Sequence, residues 1–135
     1  MARQHEGIGD LKQLLKHMEP ILHEGDFVFT TVASTDNIPR AIPLLEFKEQ
    51  EGTTLVMLRH KAEELGLAYT FVSAWISISV HSALNAVGFT AAFSTALAKK
   101  GISCNVVAGY YHDHIFVAKN DKNSAIKVLR ELSGD

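Results

Sequence analysis

Residues 76–103 read ISISVHSALNAVGFTAAFSTALAKKGIS, and this stretch decides the fold. Its first five residues alternate apolar with polar side chains, which predicts a strand with one apolar face. Apolar residues at helical spacing follow, and they predict a helix over about 90–100 with Thr90 as a candidate N-cap. Gly101 supplies the left-handed residue that commonly ends a helix. The stretch therefore predicts a strand, a connecting loop and a helix in succession.

The residues after this stretch extend the pattern. We predict strands over 102–110 and 115–118, joined by a tight turn at His112-Asp113, and a helix that begins near Asp121. Together with the stretch above they give the order β-α-β-β-α. This order is the split β-α-β plan of ferredoxin-like folds, in which an antiparallel sheet carries both helices on one face.

The residues before residue 71 predict a rotated and incomplete version of the same plan. A helix begins at Asp10, strands follow over 27–32, 42–47 and 54–58, and a short helix lies near 61–65. No linker rich in Pro, Gly or Ser divides the chain. We therefore expect two tightly joined halves that share their sheets.

Composition narrows the possible functions. The 135 residues are 47% hydrophobic and 21% charged, which is typical of a globular domain, and the net charge is −2. Since there is no basic surplus, nucleic-acid binding is not expected. No apolar run is long enough to span a membrane, so we expect no membrane partner. The single cysteine, Cys104, cannot form an internal disulfide, which favours a cytoplasmic location.

Several motifs resemble those of the ACT domain family, the small-molecule-sensing modules attached to many amino-acid biosynthetic enzymes. The resemblance lies in residues 76–82, 85–90 and 96–103, which follow the family's sequence of strand, loop ending in Gly, helix and Gly-Ile-Ser entry to the next strand. Residues 104–117 look like a narrower branch of small free-standing proteins with two ACT-like halves. Residues 47–56 are similar to the first half of that branch.

The resemblance implies an α+β fold with two ferredoxin-like halves, 1–70 and 71–135, with antiparallel sheets and helices on one face. It implies that a small molecule, generally an amino acid, binds where two ACT units meet, and that the domain itself is not catalytic. The loop between strand and helix, with the start of the next strand, would make the contacts. The candidate ligand-binding residues are His81, Asn85, Val87, Gly88, Phe89, Thr90 and Asn105.

General physical chemistry independently supports ligand binding at this loop. The N-terminus of a helix presents unpaired backbone N–H groups and a partial positive charge, so a carboxylate can bind there without an arginine. Gly88 has no Cβ to hold a ligand away from the backbone. Each polar candidate also has a plainer interpretation: Asn85 is a turn residue, His81 faces an interface or solvent, and Asn105 makes an edge hydrogen bond.

Two chemical alternatives come from the histidines and the cysteine. His112 and His114 point the same way on an extended chain, but a zinc site needs further ligands, which would have to come from His60, His81 or a carboxylate. Cys104 alternates with apolar residues, which favours packing in the core over nucleophilic catalysis. We therefore expect no metal, no cofactor and no catalytic residue.

Three hypotheses follow, in this order. The first is an amino-acid-binding regulatory module that forms a homodimer or a higher homo-oligomer. The second is a structural or oligomerisation adaptor without a ligand. The third is an enzyme that depends on Cys104 or on a metal held by the histidines.

Overall fold

The computed structural model describes residues 10–79 and 87–134 of the chain. Eleven helices and strands follow one another in these residues, together with a short 3-10 turn at Lys119–Asp121. They are α1 (Leu11–His17), β1 (Pro20–Leu22), β2 (Phe27–Val32), β3 (Leu45–Lys48), β4 (Thr53–Leu58), α2 (Arg59–Glu64), β5 (Val72–Ile78), α3 (Phe89–Lys99), β6 (Asn105–Ala108), β7 (Asp113–Ala118) and α4 (Lys122–Leu132).

The chain forms two compact units. One is the continuous segment Glu24–Ala74, and the other combines the described parts of Met1–His23 and Trp75–Asp135. The predicted α+β class with antiparallel strands is confirmed, and so is the order β-α-β-β-α from β5 to α4. The division into halves at residue 70 stays a prediction. No helix within the described residues is both long and apolar enough to cross a membrane.

The continuous unit is an antiparallel sheet covered by a short helix. Strand β2 pairs with β4 on one side and with the start of β5 on the other, while β3 pairs with the far edge of β4. Val28, Leu55, Met57 and Ala62 are fully buried and form its core. Burying aliphatic side chains of this size stabilises a fold by about 1.5–3 kcal/mol each.

The discontinuous unit contains the strands β1, β5, β7 and β6. Strand β1 pairs antiparallel with the end of β5, β7 lies next to β5, and β6 pairs antiparallel with β7. Alternate residues of β5 and β7 are fully buried, as are apolar residues of α3 and α4, which is expected where helices cover one face of a sheet. These buried residues are Ile76, Ile78, Ile115, Val117, Phe93, Leu97 and Leu129.

Helix α1 is capped as the sequence predicts. The Asp10 carboxylate accepts a hydrogen bond from the Lys12 backbone N–H at 3.2 Å. Gly101 follows the C-cap of α3 in the predicted left-handed conformation, with φ +73°. The N-cap of α3 is Gly88, whereas the sequence predicts Thr90. The helix begins earlier because Phe89 is buried beside Phe93 and belongs to its first turn.

Other differences concern the ends of strands. Strand β3 begins at Leu45 instead of residue 42, and β6 covers only Asn105–Ala108 of the predicted 102–110. The hairpin turn closes through the Gly109 N–H, which donates to the His112 carbonyl at 2.9 Å. Asp113 is therefore the first residue of β7, and it is buried instead of exposed in the turn.

Candidate functional site

The N-terminal end of α3 has an open backbone. Gly88 is the N-cap with φ +92°, a left-handed conformation that favours glycine, and its carbonyl accepts the first helical hydrogen bond from Ala92 N–H at 2.9 Å. The N–H groups of the first turn have no partner within a helix. Among the described residues beyond its chain neighbours, a Cβ added to Gly88 would contact the Leu11 Cδ2, at 3.4 Å, and nothing else. Gly88 is thus partly exposed and is not packed under the hydrocarbon of the described residues.

A groove of about 660 Å³ adjoins Gly88. Small side chains of α3 line it, among them Ala91, Thr95 and Ala96, and α4 contributes Val128 and Leu132. Leu11 and Gly88 lie at the N-terminal end of α3, whereas Lys99, Lys100 and Glu131 line the groove nearer its C-terminal end. The groove is thus mostly apolar, with charged side chains near the C-terminal end of α3 and the N-terminal end of the helix at its other end.

The predicted ligand residues around Gly88 differ in what they can offer. Val87 is 86% exposed, so its side chain is available to a ligand or a partner. Phe89 is only 2% exposed and packs edge-to-face with Phe93, with 5.3 Å between the ring centroids. Its backbone N–H is therefore the group that could reach a ligand. Thr90 is exposed, and its carbonyl accepts a hydrogen bond from Ser94 Oγ at 2.7 Å.

The remaining predicted ligand residues lie elsewhere. His81 and Asn85 fall outside the described residues. Asn105 is on β6, where its side-chain amide donates to the Phe116 carbonyl at 3.2 Å. This bond is the edge hydrogen bond that the plainer interpretation expects. The structure thus places Val87, Gly88, Phe89 and Thr90 together at one helix end and gives Asn105 a partner within its own sheet.

Of the histidines considered for a metal site, His81 lies outside the described residues. The rings of His112 and His114 have centroids 6.3 Å apart, and His60 belongs to α2 in the continuous unit. Within residues 10–79 and 87–134, no three side chains of His, Cys, Asp or Glu are placed to hold a metal ion.

Cys104 is half-buried just before β6, and burial raises the pKa of its thiol to about 11. Its ordinary value is 9.0, so the reactive thiolate is about 100-fold scarcer than in a free cysteine. Since a thiolate of higher pKa is also about tenfold more nucleophilic, we expect iodoacetamide at pH 7.5 to alkylate Cys104 at least about 10-fold more slowly in the native protein than in urea. The measurement is intact-protein mass spectrometry over time. Native alkylation at the rate of the unfolded chain would instead support a nucleophilic cysteine.

The continuous unit has a polar cleft of its own, in which Arg59 already pairs with two carboxylates. Arg59 Nε donates to Tyr69 Oη at 2.9 Å, and Tyr69 Oη donates to Glu63 Oε2 at 2.7 Å. Arg59 also lies 3.8 Å from the Asp26 carboxylate. Because Arg59, Asp26 and Glu63 of the cleft lining already interact with one another or with Tyr69, this cleft is a weaker candidate ligand site than the groove at Gly88.

One polar cluster of the discontinuous unit was not predicted from the sequence. Hydrogen bonds connect four side chains from three separate parts of the chain, namely His23, Trp75, Ser77 and His114. The available signal was weak: Trp75 and Ser77 alternate with apolar residues of β5, which places them on one face. Nothing in the sequence indicates that His23 and His114 lie beside that face.

Two models of the same kind of protein domain match the chain. Residues 6–74 match one ACT domain model and residues 70–131 match another. No curated protein matches the chain.

Solved structures are similar over most of the chain. A Vibrio cholerae protein of unknown function, described as a possible transport protein, is 46% identical, with 91% of this chain and 95% of that chain covered and a TM-score of 0.83. An Agrobacterium tumefaciens protein is 16% identical over 86% of this chain and 89% of that chain, with a TM-score of 0.66. The ligand-free regulatory subunit of aspartate kinase from Thermus thermophilus is 10% identical over 84% of this chain and 95% of that chain, with a TM-score of 0.59. The last two similarities concern the fold alone.

Proposed function

The chain belongs to the ACT domain family, and from this premise we propose that it binds an amino acid at the N-terminal end of α3. An ACT module is a regulatory, ligand-binding unit and is not itself catalytic. The proposal adds the class of ligand and the place where it binds.

One observation carries the proposal. Gly88 combines a left-handed backbone, the absence of a Cβ and a position at the end of the groove on α3. The N–H groups of Phe89, Thr90 and Ala91 belong to the first turn of the same helix. A carboxylate at this end can accept these hydrogen bonds and interact favourably with the helix dipole.

In this proposal the side chain and the other polar groups of the amino acid lie beside the same end of α3. The groove beyond Gly88 is lined by small apolar side chains, which leaves room for a short ligand side chain. Among the predicted contacts, His81 and Asn85 precede Val87 in the same loop, and we retain them as partners for the ligand's polar groups. Asn105 is retained as a contact from β6, where binding would have to compete with its bond to the Phe116 carbonyl.

We further propose that a second copy of the chain completes the site. Val87 is a large apolar residue that is 86% exposed directly beside Gly88, and a partner surface would bury it. Strand β6 ends the strand order of the described residues, and its four residues carry no charge that would discourage pairing with another chain. Ligand binding at such an interface would stabilise one arrangement of the copies. A cytoplasmic location stays a prediction from the single cysteine.

The test is a thermal-shift and calorimetric screen with the twenty amino acids on ligand-free protein. An amino acid at 100 times its Kd is expected to stabilise the protein by about 2.7 kcal/mol, because it binds only the folded state. For a chain of this size the shift in Tm is roughly 10 °C. A flat response to every amino acid in both methods contradicts the proposal.

Two matched glycine variants locate the site. Gly88→Ala and Gly101→Ala each place an L residue in a left-handed conformation at an end of α3, with φ of +92° and +73°. Both should lose about 1–2 kcal/mol of stability for this reason. Only Gly88→Ala is expected to weaken amino-acid binding in calorimetry, and equal affinities in the two variants would place the ligand elsewhere.

The adaptor hypothesis is the alternative, and the exposed aromatic pair Tyr110 and Tyr111 favours it. Both rings are more than 60% exposed beside β6, and their centroids are 4.9 Å apart. An adaptor should self-associate tightly without any ligand. Analytical ultracentrifugation with and without amino acids distinguishes the two functions, because only the sensor changes its assembly with a ligand.

A further inference from the structure

Four side chains form a hydrogen-bonded cluster on the sheet of the discontinuous unit. Trp75 Nε1 lies 3.1 Å from His114 Nδ1, Ser77 Oγ lies 2.9 Å from the same nitrogen, and His23 Nε2 lies 2.7 Å from Ser77 Oγ. The rings of His23 and Trp75 stack with their centroids 3.5 Å apart. Trp75 and Ser77 alternate with buried Ile76 on β5, so the cluster lies on the face that the helices do not cover.

The tryptophan fixes the protonation state of His114. An indole N–H can only donate, so His114 Nδ1 accepts and carries no proton. His114 is then a neutral imidazole with its proton on Nε2. The Ser77 hydroxyl lies within hydrogen-bond distance of this Nδ1 and of His23 Nε2, and its single proton can be donated to only one of the two nitrogens.

Protonation affects the two histidines differently. His114 can take a second proton only on Nδ1, to which the N–H of Trp75 already donates. A proton there breaks this bond, because two N–H groups then face each other, whereas Ser77 Oγ can accept from the new N–H. A protonated His23 places a cation on the face of Trp75, which is a favourable arrangement.

Among the described residues, the charged groups that influence the pKa of His114 include no acid that would compensate a positive charge. Its titratable neighbours are His23, which follows β1, and His112 in the turn before β7, and both are bases. Strand β5 contributes only Trp75 and Ser77, and β6 places uncharged Val107 opposite His114. The adjacent carboxyl group, Asp113, alternates to the helix-covered face of β7 and is buried there. Burial, followed by His112 and His23, lowers the pKa of His114.

We propose that His23, Trp75, Ser77 and His114 form a pH-sensitive latch, in which Trp75 of β5 is hydrogen-bonded to His114 of β7 only while His114 is neutral. On acidification the proton on His114 Nδ1 displaces the indole N–H of Trp75, and this side-chain link between the two paired strands opens. The unit thereby gains a response to pH that is independent of any ligand at α3.

The sign of the stability change follows from the direction of the shift. Because the pKa of His114 in the folded state lies below its ordinary 6.5, the unfolded chain binds the proton more tightly. The stabilisation is fully present above pH 6.5 and is lost as the pH falls towards the folded-state pKa. Burial also lowers the pKa of His23, which acts in the same direction. Burial raises the pKa of Asp113, which acts in the opposite direction at lower pH.

Trp75 reports directly on the latch, since it is the only tryptophan of the 135 residues. We expect its fluorescence in His23→Gln, which lacks the imidazole stacked on Trp75, to change in one transition below pH 6.5, while far-UV circular dichroism shows that the fold persists. In the double variant with His114→Asn the amide oxygen can still accept from Trp75 but cannot be protonated, so this transition should disappear. Persistence of the transition in the double variant overturns the proposal.

Two comparisons separate the latch from general acid effects. His23→Gln keeps an N–H donor for Ser77, so the transition should remain, with a midpoint at higher pH because one positive neighbour is gone. His60→Gln, in the continuous unit, should leave the transition unchanged. Loss of the transition in His60→Gln, or its loss in His23→Gln, would contradict the assignment to His114.

A measurement on the unaltered protein covers the case in which His114→Asn does not fold. In ¹⁵N NMR spectra, His114 should show the tautomer with a proton on Nε2 at pH 7.5. The Trp75 indole N–H should shift on acidification with the same midpoint as the His114 ring. A proton on Nδ1 at pH 7.5, or an indole resonance that does not follow His114, refutes the latch.

Discussion

Replacing Phe93 by alanine is expected to lower the free energy of unfolding by about 3–5 kcal/mol. Phe93 is fully buried at the centre of α3, and its ring meets that of Phe89 edge-to-face. The substitution removes this contact and leaves a cavity beneath the helix whose N-terminus is the proposed binding site. Since typical domains are stable by about 5–15 kcal/mol, the variant should be close to unfolding at 37 °C.

Urea denaturation at pH 7.5 measures the loss, and Ser94→Ala is the matched control. Ser94 is the next residue of the same helix but is only partly buried, and its hydroxyl bonds to the Thr90 carbonyl of its own helix, so its replacement should change stability by less than about 0.5 kcal/mol. A Phe93→Ala variant as stable as Ser94→Ala would show that α3 is held by other contacts.

Gly109→Ala is expected to lose about 1–3 kcal/mol and to disturb Trp75 at the same time. A Cβ at Gly109 would lie 2.8 Å from the His112 carbonyl oxygen and 3.1 Å from His114 Nε2. The hairpin turn or the imidazole must therefore move. Because Gly109 is not in a left-handed conformation, the cost is steric and not conformational.

The control is Gly66→Ala in the continuous unit. Its Cβ would meet nothing within 4 Å, although its φ is +69°. It should lose about 1–2 kcal/mol through backbone strain and leave the Trp75 emission unchanged. Urea denaturation and fluorescence spectra on both variants separate these effects, and an unchanged spectrum in Gly109→Ala would argue against the contact with His114.

Local sequence patterns were sufficient for most of the fold. The helical spacing after Gly88 and the alternation before it predict α3 and the end of β5, because tertiary packing agrees with local preference there. Strand β1 was not predicted, since three residues that begin with Pro20 carry too little alternation. Strand β5 begins at Val72, earlier than predicted, because its first residues gain their partners from β2, which is distant in the sequence.

The candidate site could be predicted only where it is continuous in the chain. Val87, Gly88, Phe89 and Thr90 are adjacent residues, so the helix end that joins them is visible in the sequence. Burial of Phe89 was harder to foresee, because a loop residue and the first core residue of a helix look alike. The latch could not be predicted from local sequence, because His23 and Ser77 are 54 residues apart and are brought together by strand pairing.

The two compact units differ in when they can be completed during synthesis. The unit Glu24–Ala74 is one continuous segment, whereas the other needs residues from both ends of the chain, including contacts of α4 with β1. At translation rates of about 5–20 residues per second, several seconds separate the emergence of the first unit from that of α4. Strand β1 is therefore made early and must wait for its partners, so the nascent chain relies on the middle segment to fold first.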